Sequence, residues 1–109
     1  MTIRKVLEEA VTAQQAGEFS EAVRLYGVVL NEQPGNAIAN YNLGVLSLDI
    51  QNLQTALILF KNAVDSNPGE KQYWLSYIDA LLKDGQLEKA DRAAKDALEK
   101  GISVSWSLS

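Results

Sequence analysis

The chain has 109 residues, enough for one domain of ordinary size, and its 47% hydrophobic and 22% charged content is that of a globular protein, not a disordered one. A net charge of −4, with basic residues scattered singly apart from Arg4-Lys5, argues against nucleic acid or an anionic membrane as partner, because both demand a concentrated positive surface. The absence of cysteine and histidine excludes a disulfide framework, a thiolate zinc site and a cysteine nucleophile, and removes the commonest general base; no metal and no cofactor is expected.

The first ten residues carry Arg4, Lys5, Glu8 and Glu9 where a signal peptide needs an apolar run, and no apolar segment approaches membrane-spanning length. A cytoplasmic protein is therefore expected. Residues 3–16 read as a first amphipathic helix, closed by Gly17. A second helix, 20–33, carries the apolar stripe Phe19, Ala22, Val23, Tyr26, Val29 and Leu30, with Ser20 as its expected N-cap and Glu21 favourable at the positive end of the dipole. Pro34-Gly35 interrupts the pattern. Helices over 37–50 and 53–66 follow, the latter with Leu53, Ala56, Leu57, Phe60, Ala63 and Val64 on one stripe. After Pro68-Gly69 come helices over 71–84 and 87–100, separated by Gly85; the last carries the smaller stripe Leu87, Ala90, Ala94, Ala97 and Leu98 and ends at Gly101.

These features recur with a period of 34: Pro34 and Pro68, Gly17 and Gly85, Tyr26 and Phe60, and Ala22, Ala56 and Ala90. A fixed period in this range marks a stacked repeat array. The units are about 3–36, 37–70 and 71–101, so residues 1–101 form one domain and 102–109 a tail. Short connections force neighbouring helices antiparallel. The recurring alanines mark where the second helix of a unit approaches the first, and Gly44, which costs about 1 kcal/mol in mid-helix, implies another close approach. Phe60 and Trp74 are expected to be buried between units.

The second unit reads Tyr41-Asn42-Leu43-Gly44, then Ala56, Phe60, Ala63 and Pro68; the first has Gly17, Ala22, Tyr26 and Pro34; the third has Trp74, Gly85, Ala90 and Ala97. Together these residues resemble the tetratricopeptide repeat, over residues 3 to about 101. The resemblance implies an all-α solenoid of three helix–turn–helix repeats, six helices in all, with a short extended C-terminal tail. The third unit departs from the motif, with Ala94 where an aromatic is usual and Ile102 where proline is usual. The stretch Tyr73 to Ala90 looks like the last repeat of bacterial modules that precede glycosyltransferase or methyltransferase domains.

In that family the first helix of each unit lines a concave groove. Carried onto this chain, the groove offers Leu7, Val11, Ile38, Tyr41, Val45, Leu48, Leu75 and Leu82 as an apolar strip, with Asn42, Gln72 and Asp79 as polar groups that would orient a ligand. The family's clamp for a peptide C-terminal carboxylate needs lysines, an arginine and asparagines. The matching positions here are Leu7, Val11, Asn42, Gln72 and Ser76, of which only Asn42 fits, so a carboxylate clamp is not expected. The resemblance thus implies a non-enzymatic protein–protein interaction module that binds an apolar helix or extended peptide. A recognition module of a glycosyltransferase or methyltransferase system is the alternative.

Asp49 and Asp79 are read as solvated or capping carboxylates and not as an acid–base pair, so no catalytic residue is assigned. Between Gln33 and Phe60 the only charged residue is Asp49, and Ile58 stands where the other units have Arg24 and Arg92. In the tail, Ile102, Val104, Trp106 and Leu108 alternate with serines, the period-2 pattern of an extended segment with one buried face. Ile58 and these four residues are the candidates for self-association, in a homodimer whose groove is filled by its own tail. The other expectation for the tail is that it covers the open end of the third unit.

Overall fold

A computed structural model describes residues 2–104. It contains six helices: α1 (Ile3–Gln15), α2 (Phe19–Glu32), α3 (Ala37–Asp49), α4 (Leu53–Ser66), α5 (Lys71–Lys83) and α6 (Leu87–Glu99). No strand occurs among the described residues. Each helix falls within one residue of its sequence expectation. Helices pack chiefly on their neighbours in sequence, giving an elongated body of 47 × 27 × 20 Å. That is the shape of a stacked array, where each unit touches only the next.

Two contiguous apolar clusters run through the stack. One gathers Val6, Ala10, Ala22, Leu25, Tyr26 and Val29 around the first unit, and the other gathers Phe60, Ala63, Val64, Trp74, Ile78 and Leu81 around the second and third. Ala22, Ala56 and Ala90 are all fully buried, as the close approach of paired helices requires. Phe60 is fully buried and Trp74 nearly so.

Gly44 is held bare by Phe60. A Cβ on Gly44 would stand 2.6 Å and 2.8 Å from two carbons of the Phe60 ring, well inside contact distance. The same two repeat positions are Ala10 and Tyr26 in the first unit, and Ile78 and Ala94 in the third. Small therefore faces large in the first two units, and the third reverses the order. Ile78 is buried there and Ala94 packs against the same cluster, so the missing aromatic leaves no missing volume.

The linkers are held by a repeated hydrogen bond. Asn40 Nδ2 donates to the Pro34 carbonyl at 3.0 Å, and Trp74 Nε1 donates to the Pro68 carbonyl at 2.8 Å. Both donors sit six residues after the proline whose carbonyl they meet. Two chemically different side chains thus play the same part, since each satisfies a backbone acceptor that the turn would otherwise leave beside the core.

One expected cap is not made. Ser20 does not cap α2. That helix begins a residue earlier, Glu18 is its N-cap without a side-chain bond, and Ser20 lies inside the first turn. The helix starts in register with α4 and α6 because Phe19, Leu53 and Leu87 hold one repeat position. Glu21 is engaged by Arg24 on the next turn. Side-chain caps occur at Thr2, Asn36 and Asn52.

Gly17 and Gly85 turn between paired helices with φ of 78° and 73°, and Gln51 takes the same repeat position with φ of 61°. A left-handed residue with a Cβ costs roughly 1–2 kcal/mol that glycine escapes. At the other end, the Ile102 amide bonds to the Ala97 carbonyl at 2.8 Å, and Ile102 and Val104 pack half-buried against the core of the third unit.

Two stability measurements follow from this packing. Gly44→Ala is expected to lower stability by about 1–3 kcal/mol, because overpacking against an immobile ring outweighs the gain in helix propensity. A melting temperature at or above the parent's would show that Phe60 yields. Gln51→Gly should instead stabilise, by about 1 kcal/mol, and a chemical denaturation midpoint that falls on this change would show that the Gln51 side chain has a contact worth more than its backbone strain.

Candidate functional site

The first helices of the three units, α1, α3 and α5, supply the candidate groove. At its beginning, Leu7 and Val11 of α1 and Ile38 of α3 line one cavity of about 380 Å³ with Glu8 and Thr12. Ile38 is 47% exposed at the start of α3. Leu7 and Val11 are half-buried, resting on the first core cluster while presenting an edge to the cavity.

Tyr41 occupies the centre. Its ring stacks on Tyr73 with centroids 4.7 Å apart and tilts against Phe60 at 5.5 Å. Its hydroxyl is 2.9 Å from Ser76 Oγ and accepts from Gln72 Nε2 at 3.3 Å. Gln72 therefore lies beside Tyr41 and links the second unit to the third. A parallel link joins the first unit to the second. Tyr26, fully buried, donates its hydroxyl to Gln14 Oε1 at 2.5 Å and accepts from Asn42 Nδ2 at 3.0 Å. Asn42 is thus tied to the wall of the groove.

Val45, Leu48 and Leu82 are half-buried and pack against the second core cluster, whereas Leu75 is 37% exposed. Asp79 is exposed, and its carboxylate meets Lys83 of its own helix at 3.0 Å, an exposed pair of small energetic weight. The strip is therefore graded. Ile38 and Leu75 stand in solvent, and the remaining apolar members present only part of their surface. Ile58 lies on α4, outside the groove, and is 64% exposed. Ile102 and Val104 rest on their own third unit. Trp106 and Leu108 lie outside the described residues.

Two phenols of the site, Tyr26 and Tyr73, are held in the neutral form by burial. Burial pushes the Tyr26 phenol above its usual range, with the hydrogen bond from Asn42 pulling the other way. Burial also raises Tyr73, helped by the carboxylate of Glu70 and by Tyr41. Among the described residues no group of three acidic, histidine or cysteine side chains is placed to hold a metal, and no helix is long and apolar enough to cross a membrane.

Periodicity placed Tyr26 on the apolar stripe of α2 and the family resemblance placed Tyr41 in the groove, but neither found what their hydroxyls do. The signal was present in residue type: a tyrosine in a buried stripe needs a partner for its O–H, and Gln14, Asn42 and Ser76 are the polar residues on the facing helices.

A family model described as tetratricopeptide repeat matches the chain over residues 7–71 and again over 48–104. Among solved structures, a mutant O-GlcNAc transferase of Thermobaculum terrenum is 32% identical over 89% of this chain and 19% of its own, with a TM-score of 0.75. A MamA protein is 21% identical over 89% of this chain and 53% of its own, with a TM-score of 0.77. The second such repeat domain of Spaghetti (RPAP3), bound to the HSP90 peptide SRMEEVD, is 17% identical over 88% of this chain and 89% of its own, with a TM-score of 0.75. The chain therefore spans a fifth of the transferase and about half of the MamA chain. No curated protein matches it.

The tyrosine links carry a pH dependence. A phenol whose folded pKa lies above its unfolded value near 10.0 contributes stability that is whole below pH 10 and is lost as pH rises through the folded value. Thermal stability should therefore fall steeply above about pH 10. Tyr26→Phe should cost about 1 kcal/mol at pH 7 and flatten the alkaline limb; an alkaline limb unchanged in this variant would assign the effect to other groups.

Proposed function

The chain belongs to the tetratricopeptide repeat family, and on that premise we propose that it is a non-enzymatic docking module whose groove takes an apolar helix or extended segment of a protein partner. The observation that carries this reading is the cavity between α1 and α3, walled by Leu7, Val11 and Ile38, with the exposed Leu75 further along the same surface. Apolar side chains that reach solvent along one face are where a partner gains most by excluding water. The tied amides of Asn42 and Gln72 stand beside that strip and would meet a partner's polar or backbone groups. The groove's charged lining in this cavity is Glu8, which disfavours an acidic terminus.

A second reading, a recognition module working within a glycosyltransferase system, is favoured by the likeness to the bacterial O-GlcNAc transferase. The two readings share the groove and differ only in whose chain enters it.

The test uses the whole chain. The peptide SRMEEVD, which the RPAP3 domain binds, should show no saturable binding here at physiological salt, because Leu7 and Val11 offer its carboxylates no donor. A protein partner captured by the parent should be weakened about tenfold or more by Ile38→Glu and retained by Ile58→Glu. Tight binding of SRMEEVD that vanishes on amidating its C-terminus, or equal loss in both variants, would overturn the groove assignment.

A further inference from the structure

The two junctions between units are not closed in the same way. At the second junction Gln54 Nε2 donates to Asp84 Oδ1 at 3.0 Å, and Gln86 Nε2 donates to Asp84 Oδ2 at 2.5 Å. This polar clasp bridges α4 to the turn after α5. One period earlier, the same three positions are Ser20, Ile50 and Asn52. A serine is too short to span the gap, and an isoleucine offers no acceptor. The Leu43 position is Tyr77 in the third unit, so the first junction lacks a ring at that place.

The first junction keeps a cleft of about 560 Å³ between α2, α3 and α4, against about 340 Å³ at the corresponding place in the second, beside Gln54, Tyr77 and Gln86. Phe19, Val23, Leu43, Leu46 and Ile50 form its apolar walls. Its α3 residues Leu43, Leu46, Ser47 and Ile50 lie on a stripe turned away from Tyr41, Val45 and Leu48, whereas Asp49, four residues after Val45, stands at the edge between cleft and groove. Phe19, Val23 and Ile50 are 51%, 44% and 74% exposed, standing at the rim instead of folding over the gap. Such an open apolar rim suits a side chain carried in on a protein surface better than an enclosed small molecule.

The charge at the rim says what should lie beside that side chain. Asp49 lines the cleft and is the only charged residue between Gln33 and Phe60. Among the described residues it makes no ion pair, and it closes a helix whose last turn contains no basic residue. The carboxylate and the negative end of the α3 dipole therefore act together, with no cation at ion-pair distance among the described residues.

From these observations we infer that the cleft docks a segment of another protein that inserts a bulky apolar side chain and sets a lysine or arginine against Asp49. The apolar side chain supplies the affinity, and the cation sets the register.

The blocked dipeptides acetyl-Phe-Lys-amide, acetyl-Phe-Gln-amide and acetyl-Phe-Glu-amide probe this directly, read by methyl NMR of the whole chain. The lysine probe should shift Val23, Leu43, Leu46 and Ile50 saturably, with an affinity about threefold or more above that of the glutamate probe. Asp49→Asn should abolish that ranking while keeping the apolar shifts. The variant Ser20→Gln/Ile50→Asp/Asn52→Gln, which transplants the clasp of the second junction and replaces an apolar rim by a polar one, should weaken binding with the fold retained by circular dichroism. Shifts absent for all three probes, equal for all three, or confined to Leu7 and Ile38 would overturn the proposal. Shifts of the same methyls on raising the concentration of the chain alone would assign the cleft to a second copy instead, and would also overturn it. The groove reading is untouched by any of these outcomes at the cleft.

Discussion

The spacing of this array rests on one contact, the ring of Phe60 laid on the bare Cα of Gly44. A methyl group there would stand 2.6 Å from the ring, so the two helices of the second unit can hold their distance only while that position is empty. The fully buried Phe60 then carries the tilted ring of Tyr41, which in turn stacks on Tyr73 of the next unit. One small-for-large exchange is thereby passed from inside a unit to the face where a partner would lie. Ala10 with Tyr26, and Ile78 with Ala94, show that the array conserves filled volume at this place and not residue identity. Close-packed interiors demand that, since a void forfeits contacts on every side that lines it.

Polar groups are handled with the same consistency. The carbonyls of Pro34 and Pro68 meet side-chain donors from the following helix, an amide in one case and an indole in the other. Tyr26 and Tyr41 place their rings in or beside the core and send their hydroxyls to the groove helices, Tyr26 to Gln14 of α1 and Asn42 of α3, and Tyr41 to Ser76 of α5. These bonds fix the rotation of each groove helix about its own axis, which hydrophobic contact alone leaves loosely defined, because apolar attraction has no direction. The candidate groove is thus shaped by bonds within the chain itself.

The first junction stands apart from this pattern. Its cleft is larger and has an apolar rim where the second junction has a polar clasp, and the turn beside it holds Gln51 in a backbone conformation that the other units reserve for glycine. The apolar walls of groove and cleft lie on different faces of α3, with Asp49 at the edge between them.

The number, type and limits of the helices were legible in the sequence, because a 34-residue period with glycine and proline punctuation depends on local backbone preference and on a stripe of apolar residues, both read along the chain. Family resemblance added which helices face the concave side. The start of α2 escaped prediction because register with Leu53 and Leu87 outweighed the capping preference of Ser20. The sequence could not show that Trp74 and Asn40 play the same part, that Ile78 replaces a missing aromatic, or that Asp84 is clasped where Ile50 stands free. Each of these is a relation between residues on different helices, decided by which side chains the stack brings within a few ångströms. Periodicity says which face a residue is on, and only tertiary packing says what stands opposite it.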